Sequence, residues 1–237
     1  RGLELPNRLI CDKESQNERY AKFEIEPFER GFGTTIGNSI RRILLSSLEG
    51  TSPTSVRIKG VSHEFESPKG VVEDVPLIIL AIKKLRVRLN VDGPKVLTLS
   101  AKKKGQITAA DFEADPELEI LNPELVICNL AEDRNFELEV TVQRGRGYVT
   151  AEEHSQGQQE VGQIYLDAAF SPVTRVRFKT EYTRVGKLTN YDRLIIEIWT
   201  DGTKDPEFAL VEAAKIMRKH LNPFVQYFEL KDQYLAE

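Results

Sequence analysis

Cysteine, histidine and uninterrupted apolar runs are all scarce in this chain, and each shortage removes a class of function. Cys11 and Cys128 are the only two cysteines in 237 residues. They lie far apart in ordinary sequence, which argues against a disulfide framework and for a reducing compartment, the cytoplasm. The three histidines, His63, His154 and His220, are scattered. No Cys/His cluster has metal-ligand spacing, so neither a metal nor another cofactor is expected. No stretch approaches the ~20 apolar residues that span a bilayer. The start, Arg1 to Pro6, has neither a basic n-region nor an apolar h-region, so neither a membrane span nor a signal peptide is expected. A basic excess is missing too. The net charge is −4, which weighs against a chain built to wrap nucleic acid.

What is present reads as a folded α+β chain. Hydrophobic residues make up 40% and charged residues 30%, an ordinary balance for a globular protein. The segment Tyr20–Glu26 alternates, with Ala21, Phe23 and Ile25 on one face and charges on the other, so it reads as a half-buried antiparallel strand. A turn at Gly31-Phe-Gly33 follows. Then Ile36, Ile40, Ile43, Leu44 and Leu48 recur at 3.6-residue spacing, and Gly50 reads as the residue that closes their helix. Short strands are expected at 55–59, 96–102, 125–130 and 136–143. An apolar helix starting near Asp74 runs through Leu77, Ile78, Leu80, Ile82 and Leu85. The polar stretch 152–162 reads as a mobile loop.

Strands resume at 163–167, 173–181 and 193–200, and Arg175, Arg177 and Lys179 share one face of the second. Asp205-Pro206 caps a last helix whose apolar positions (Leu210, Ala213, Ala214, Met217, Leu221, Phe224, Phe228) approach heptad spacing. Pro223 is expected to kink or split it after Asn222. The widest apolar stripes sit near opposite ends of the chain. Bringing them together predicts one domain of residues 1–49 plus 175–237, with 50–174 inserted. The last helix is apolar over a longer run than one small sheet needs, and a partner helix across a two-fold axis is the simplest cover.

Motifs of catalysis are weak. Gly31-x-Gly33-x-x-x-Gly37 imitates a dinucleotide fingerprint, but its third glycine is one residue late. The preceding strand is also charged rather than buried. Gly37 is followed by Asn38-Ser39, not by the Lys-Ser or Lys-Thr of a phosphate loop. Gly145-Arg146-Gly147 more simply marks a strand end than a phosphate contact. His63-Glu64 is a lone pair without a nucleophile, and no Gly-x-Ser-x-Gly elbow occurs. An enzyme using the Gly31–Gly37 turn for a nucleotide is one competing reading. A nucleic-acid module using Arg144, Arg146, Arg175 and Arg177 is another. Arg41-Arg42 on a rigid helix forms a donor fork suited to a partner's carboxylates or carbonyls.

The run from Glu26 to Ser47, EPFERGFGTTIGNSIRRILLSS, resembles the signature of the bacterial RNA polymerase α-subunit family. Further segments match in the same order: His63-Glu64-Phe65, Gly70 to Asp74, Lys83-Lys84-Leu85, Ile120 to Pro123, Val142 to Tyr148, Asp167 to Val173 and Glu197 to Gly202. The resemblance covers nearly the whole chain. It implies a two-lobed α+β region that performs no chemistry of its own. One lobe dimerises through the two long helices, and the dimer receives the β subunit on one protomer and β′ on the other. Carried over residue by residue, the resemblance assigns Arg41, Arg42 and Leu45 to β docking and Lys83, Arg175 and Arg177 to the β′ side. It assigns Ile36, Ile40, Ile43, Leu44, Leu210, Met217, Leu221 and Phe224 to the dimer interface. The chain departs from the family pattern at Leu77, where relatives can carry an acidic residue, and at Pro223. The family's DNA-binding C-terminal domain would follow near Glu237, so no direct DNA binding is expected of these residues.

Overall fold

A computed structural model describes residues 3–155 and 161–227. The chain forms two compact units, one from the residues up to Leu48 together with those from Val173 onward, the other from Glu49–Pro172.

In the first unit, β1 (Arg8–Cys11) and β2 (Tyr20–Phe28) lead into α1 (Phe32–Ser46). The second unit opens with β3 (Glu49–Ile58), α2 (Val75–Ile82), β4 (Val87–Leu89), β5 (Lys95–Ala101) and β6 (Gly105–Thr108). It continues through β7 (Leu118–Ile120), β8 (Val126–Leu130), β9 (Phe136–Arg146) and β10 (Tyr148–Val149), then α3 (Ala151–Ser155), β11 (Gln163–Tyr165) and β12 (Ala168–Ala169). The chain then returns to the first unit for β13 (Val173–Val185), β14 (Leu188–Thr200) and α4 (Pro206–Val225).

The first unit is a four-stranded antiparallel sheet, order β1-β2-β14-β13, with both long helices packed onto it. Period-two alternation divides its faces. Ala21, Phe23, Leu194, Ile196 and Ile198 form the buried row with Ile40 and Leu44 of α1 and Leu210 of α4. Asp205 caps α4, its carboxylate accepting from the Glu207 and Phe208 N–H groups. The second unit is built on an antiparallel sheet, order β11-β3-β9-β5, with two-stranded pairs β4–β7, β6–β8 and β10–β12. Val75, Ile78 and Ile82 of α2 enter its core beside Leu97, Leu99, Leu138 and Val140.

Several sequence expectations need correction. Gly50 does not close α1, which ends at Ser46 with Ser47 as its cap. Gly50 instead lies in β3, where the Phe170 carbonyl approaches so closely that a Cβ would sit 1.8 Å from its oxygen. The glycine serves backbone proximity, not a left-handed turn. Pro223 does not split α4, which continues to Val225. In the last turn a proline forfeits only its own bond back along the helix, and the Gln226 N–H still reaches the Asn222 carbonyl at 2.9 Å. Asp74 stands at the N-cap of α2, but its carboxylate accepts from Ser67 Oγ at 2.6 Å and does not cap the helix. The polar stretch after Thr150 begins with α3 rather than with loop. Phe228 and the centre of that stretch, residues 156–160, lie outside the described residues.

Candidate docking surfaces

α1 owes its position to two glycines one turn apart. A Cβ on Gly37 would meet Phe178 Cδ2 at 2.7 Å and Leu194 Cδ1 at 2.8 Å, and one on Gly33 would meet Asp192 Cβ and Thr180 Cγ2 at 3.0 Å. The helix therefore lies directly on the β13–β14 hairpin, closer than any larger residue would permit. Gly31, with φ of +87°, makes the turn into it. These glycines do packing work, and the dinucleotide resemblance ends there.

With that face seated, the remaining residues of α1 divide. Ile40 and Leu44 are buried in their own unit. The resemblance assigns both to the dimer interface; here helical periodicity marks the apolar side, and the unit's own sheet covers it. Leu210 is likewise covered within the unit. Ile36, Ile43, Leu45 and Met217 are half-buried against the same core. Arg41 and Arg42 are exposed, and neither guanidinium makes a hydrogen bond or ion pair with a described residue. At 3.6 residues per turn Arg42 sits roughly 200° round from Ile40, so it points away from the core.

The last turns of α4 carry apolar side chains that their own unit leaves uncovered. Leu221 is 49% exposed, Phe224 79% and Val225 82%, and Phe208, Val211 and Phe32 are also open to solvent. Such a concentration on adjacent helices differs from single apolar residues scattered over a surface.

The outer face of the first unit's sheet is polar and ordered. The Arg175 guanidinium lies 4.8 Å over the Trp199 ring, which stacks against Tyr20 at 5.0 Å. Tyr20 donates to Glu197 Oε1 at 2.9 Å. Burial, reinforced by that carboxylate, pushes its hydroxyl up to about 12. Arg177 approaches Glu197 at 3.8 Å and Lys179 pairs with Glu181 at 2.6 Å. A shallow groove of about 400 Å³ runs along this face past Lys22, Arg177, Lys179, Ile195 and Glu197. Trp199 and Tyr20 were not singled out from the sequence, although Trp199 is the only tryptophan and sits on an alternating strand.

In the second unit, Lys83 follows α2 and faces Asp167 at 3.7 Å. The Ala151 N–H, donating to Asp167 at 2.9 Å, holds that carboxyl below its usual range, with Lys83 adding to the effect. Leu77 and Leu80 on the same helix are more than half exposed, and Phe65 is 81% exposed. The arginines of a possible nucleic-acid face are already engaged. Arg144 donates to the Leu89 carbonyl and pairs with Asp92 at 2.8 Å, and Arg146 approaches Glu49 at 3.8 Å. Among the described residues no group of three metal-ligating side chains converges, and no helix is long and apolar enough to cross a membrane.

The model of the RNA polymerase Rpb3/RpoA insert domain matches residues 56–171. DNA-directed RNA polymerase subunit alpha of Rhodopirellula baltica is 54% identical over 230 residues, which is 97% of this chain and 70% of the relative. The chain belongs to the family of DNA-directed RNA polymerase α subunits. The α subunit of Carboxydothermus hydrogenoformans is 52% identical over 92% of the chain and 70% of its own length. That of Bacillus velezensis is 48% identical over 89% and 67%. Among α subunits, then, the first unit of this chain exposes the arginine-bearing side of α1, the outer half of α4, and the aromatic and charged face of the sheet.

Proposed function

We propose that this α subunit is a non-catalytic scaffold that forms a homodimer and recruits the β and β′ subunits of the polymerase. The observation that carries the reading is the end of α4, where Leu221, Phe224 and Val225 stand largely in water on a folded helix. Burying such side chains returns about 25 cal/mol per Å² of apolar area, and a second copy supplies an equivalent surface through a two-fold axis. The dimerisation domain is then the first unit. Arg41 and Arg42, whose guanidinium groups have no partner among the described residues, serve the β subunit. Lys83, Arg175 and Arg177 serve β′. A cytoplasmic location accompanies this role.

Light scattering of the purified chain should give a ligand-independent dimer. Co-purification should retain both large subunits, and Arg42→Ala should keep the dimer while losing β. A monomer at micromolar concentration, or an Arg42→Ala dimer that captures β normally, would remove the reading.

A further inference from the structure

One carboxylate in the first unit stands where an apolar side chain belongs. Period-two alternation along β14 places Asp192 in the inward row with Leu194, Ile196 and Ile198, and it is buried, with 6% of its surface exposed. Burying a charge is costly unless it is paired, yet Asp192 has no ion-pair partner among the described residues. Its Oδ2 instead accepts from the backbone N–H of Gly31 at 2.8 Å. That N–H belongs to the residue that starts α1, where the positive end of the helix dipole favours an anion. The same side chain lies against Gly33, whose missing Cβ leaves room for it. The β2–β14 register shifts beside it, between the Asp192–Phe28 and Leu194–Ile25 pairs.

We propose that Asp192 is a positioning residue for subunit capture: it pins the start of α1 to β14 and so holds Arg41 and Arg42 in the orientation that the β subunit meets. This rests on the reading of α1 as the β-docking element. α1 is one continuous helix of 15 residues, so a shift of its first turn against Ile40 and Leu44, which stay seated in the core, tilts the helix axis and turns Arg41 and Arg42 with it. If the docking orientation is occupied a tenth of the time, apparent affinity falls about tenfold. Asparagine keeps an oxygen acceptor for the Gly31 N–H, and alanine removes it.

The test uses the whole 237-residue chain and purified β subunit. Asp192→Ala should bind β at least about tenfold more weakly while remaining dimeric, and Asp192→Asn should restore capture to near the parent level. Hydrogen exchange should accelerate at the Gly31 amide in Asp192→Ala and not in Asp192→Asn, a response that general loss of stability would not confine to one amide. If Asp192→Ala does not fold, Gly33→Ala takes its place, because the new methyl wedges α1 away from Asp192 without removing the acceptor. Gly33→Ala should then dimerise and capture β poorly. Normal capture by the folded variant, or parallel loss of dimer and capture, overturns the proposal. Arg42→Ala separates the two levels. Normal capture by Arg42→Ala would bring down the docking reading and this proposal with it, whereas defective Arg42→Ala beside normal Asp192→Ala overturns only the role of Asp192.

Discussion

In the second unit the sheet β11-β3-β9-β5 and the inner face of helix α2 enclose a core that runs from Val56 to Leu166, while Leu77 and Leu80 on the outer face of α2 stay more than half exposed. In the first unit the same sheet-plus-helix scheme stops short, because α4 continues past its last buried residue, Ala213, and carries Leu221, Phe224 and Val225 into solvent. Both units bury one face of an antiparallel sheet, and both use glycine to bring elements close. They differ in how far a helix runs on past the last residue that its own sheet buries: α2 ends on buried Ile82, and α4 continues well past Ala213. A helix apolar beyond the reach of its sheet is a demand for another surface, whereas one that ends with its sheet makes no such demand.

The largest expected effect probes the closed unit. Gly50→Ala would place a methyl carbon 1.8 Å from the Phe170 carbonyl oxygen, a backbone atom that cannot rotate away. The expected loss exceeds ~4 kcal/mol, read as failure to purify folded protein or a collapse of the urea midpoint. Phe170 also packs its ring where a Gly145 Cβ would lie, so the strain has no easy outlet. Next comes the covered part of the open unit. Leu44→Ala removes a fully buried side chain from the first unit's core and should cost about 2–5 kcal/mol of stability. If Leu44 lay at the seam instead, denaturation would be nearly unchanged and the dimer would dissociate. Phe224→Glu inverts that pattern. The protomer should keep its stability within about 0.5 kcal/mol, since the side chain is mostly in water, but the dimer should weaken at least a hundredfold, about 3 kcal/mol, through a charge buried without a partner. Sedimentation across a concentration series distinguishes these outcomes.

Those substitutions also show where sequence reasoning reaches and where it stops. The alternation of Ala21, Phe23 and Ile25 announces β2, and the spacing of Ile36, Ile40 and Leu44 announces α1, because both periods are written in consecutive residues. Asp205-Pro206 marks the start of α4 for the same reason. What covers an apolar stripe is a different matter. Ile40 and Phe224 both belong to apolar faces, yet one is closed by β13 and β14 of its own chain and the other stands in water. The contact that decides this is distant in sequence and leaves no periodic trace. Asp192 illustrates the limit at the docking surface. A carboxylate beside Leu194 and Ile196 is visible as an exception, but its partner, Gly31, lies 161 positions away. Gly33 and Gly37 likewise read as a loop motif until their neighbours on the hairpin are known.

The smallest expected effect separates the units by pH. His154 of the second unit sets its ring edge-on to Phe170 at 6.1 Å, and its Nε2 is buried without a hydrogen-bond partner among the described residues. Its Nδ1 lies 3.4 Å from the Gln143 side-chain nitrogen. Burial holds this imidazole below its usual value of 6.5, and the carboxylates of Glu153 and Asp167 offset only part of the effect. Folding therefore favours the neutral ring. Above pH 6.5 the folded and unfolded chains are both neutral at this site, and its contribution is constant. As pH falls below 6.5 the unfolded chain takes up the proton first, so stability declines until the folded ring also titrates. The urea midpoint should drop between pH 7 and pH 5 in the parent chain and drop less in His154→Gln. Hydrogen exchange should localise the loss to β10, β12 and α3 around Phe170, leaving the amides of β14 protected. Equal acid sensitivity of the two proteins would mean that the imidazole is already solvated, and that the packing around Phe170 is looser than its burial implies.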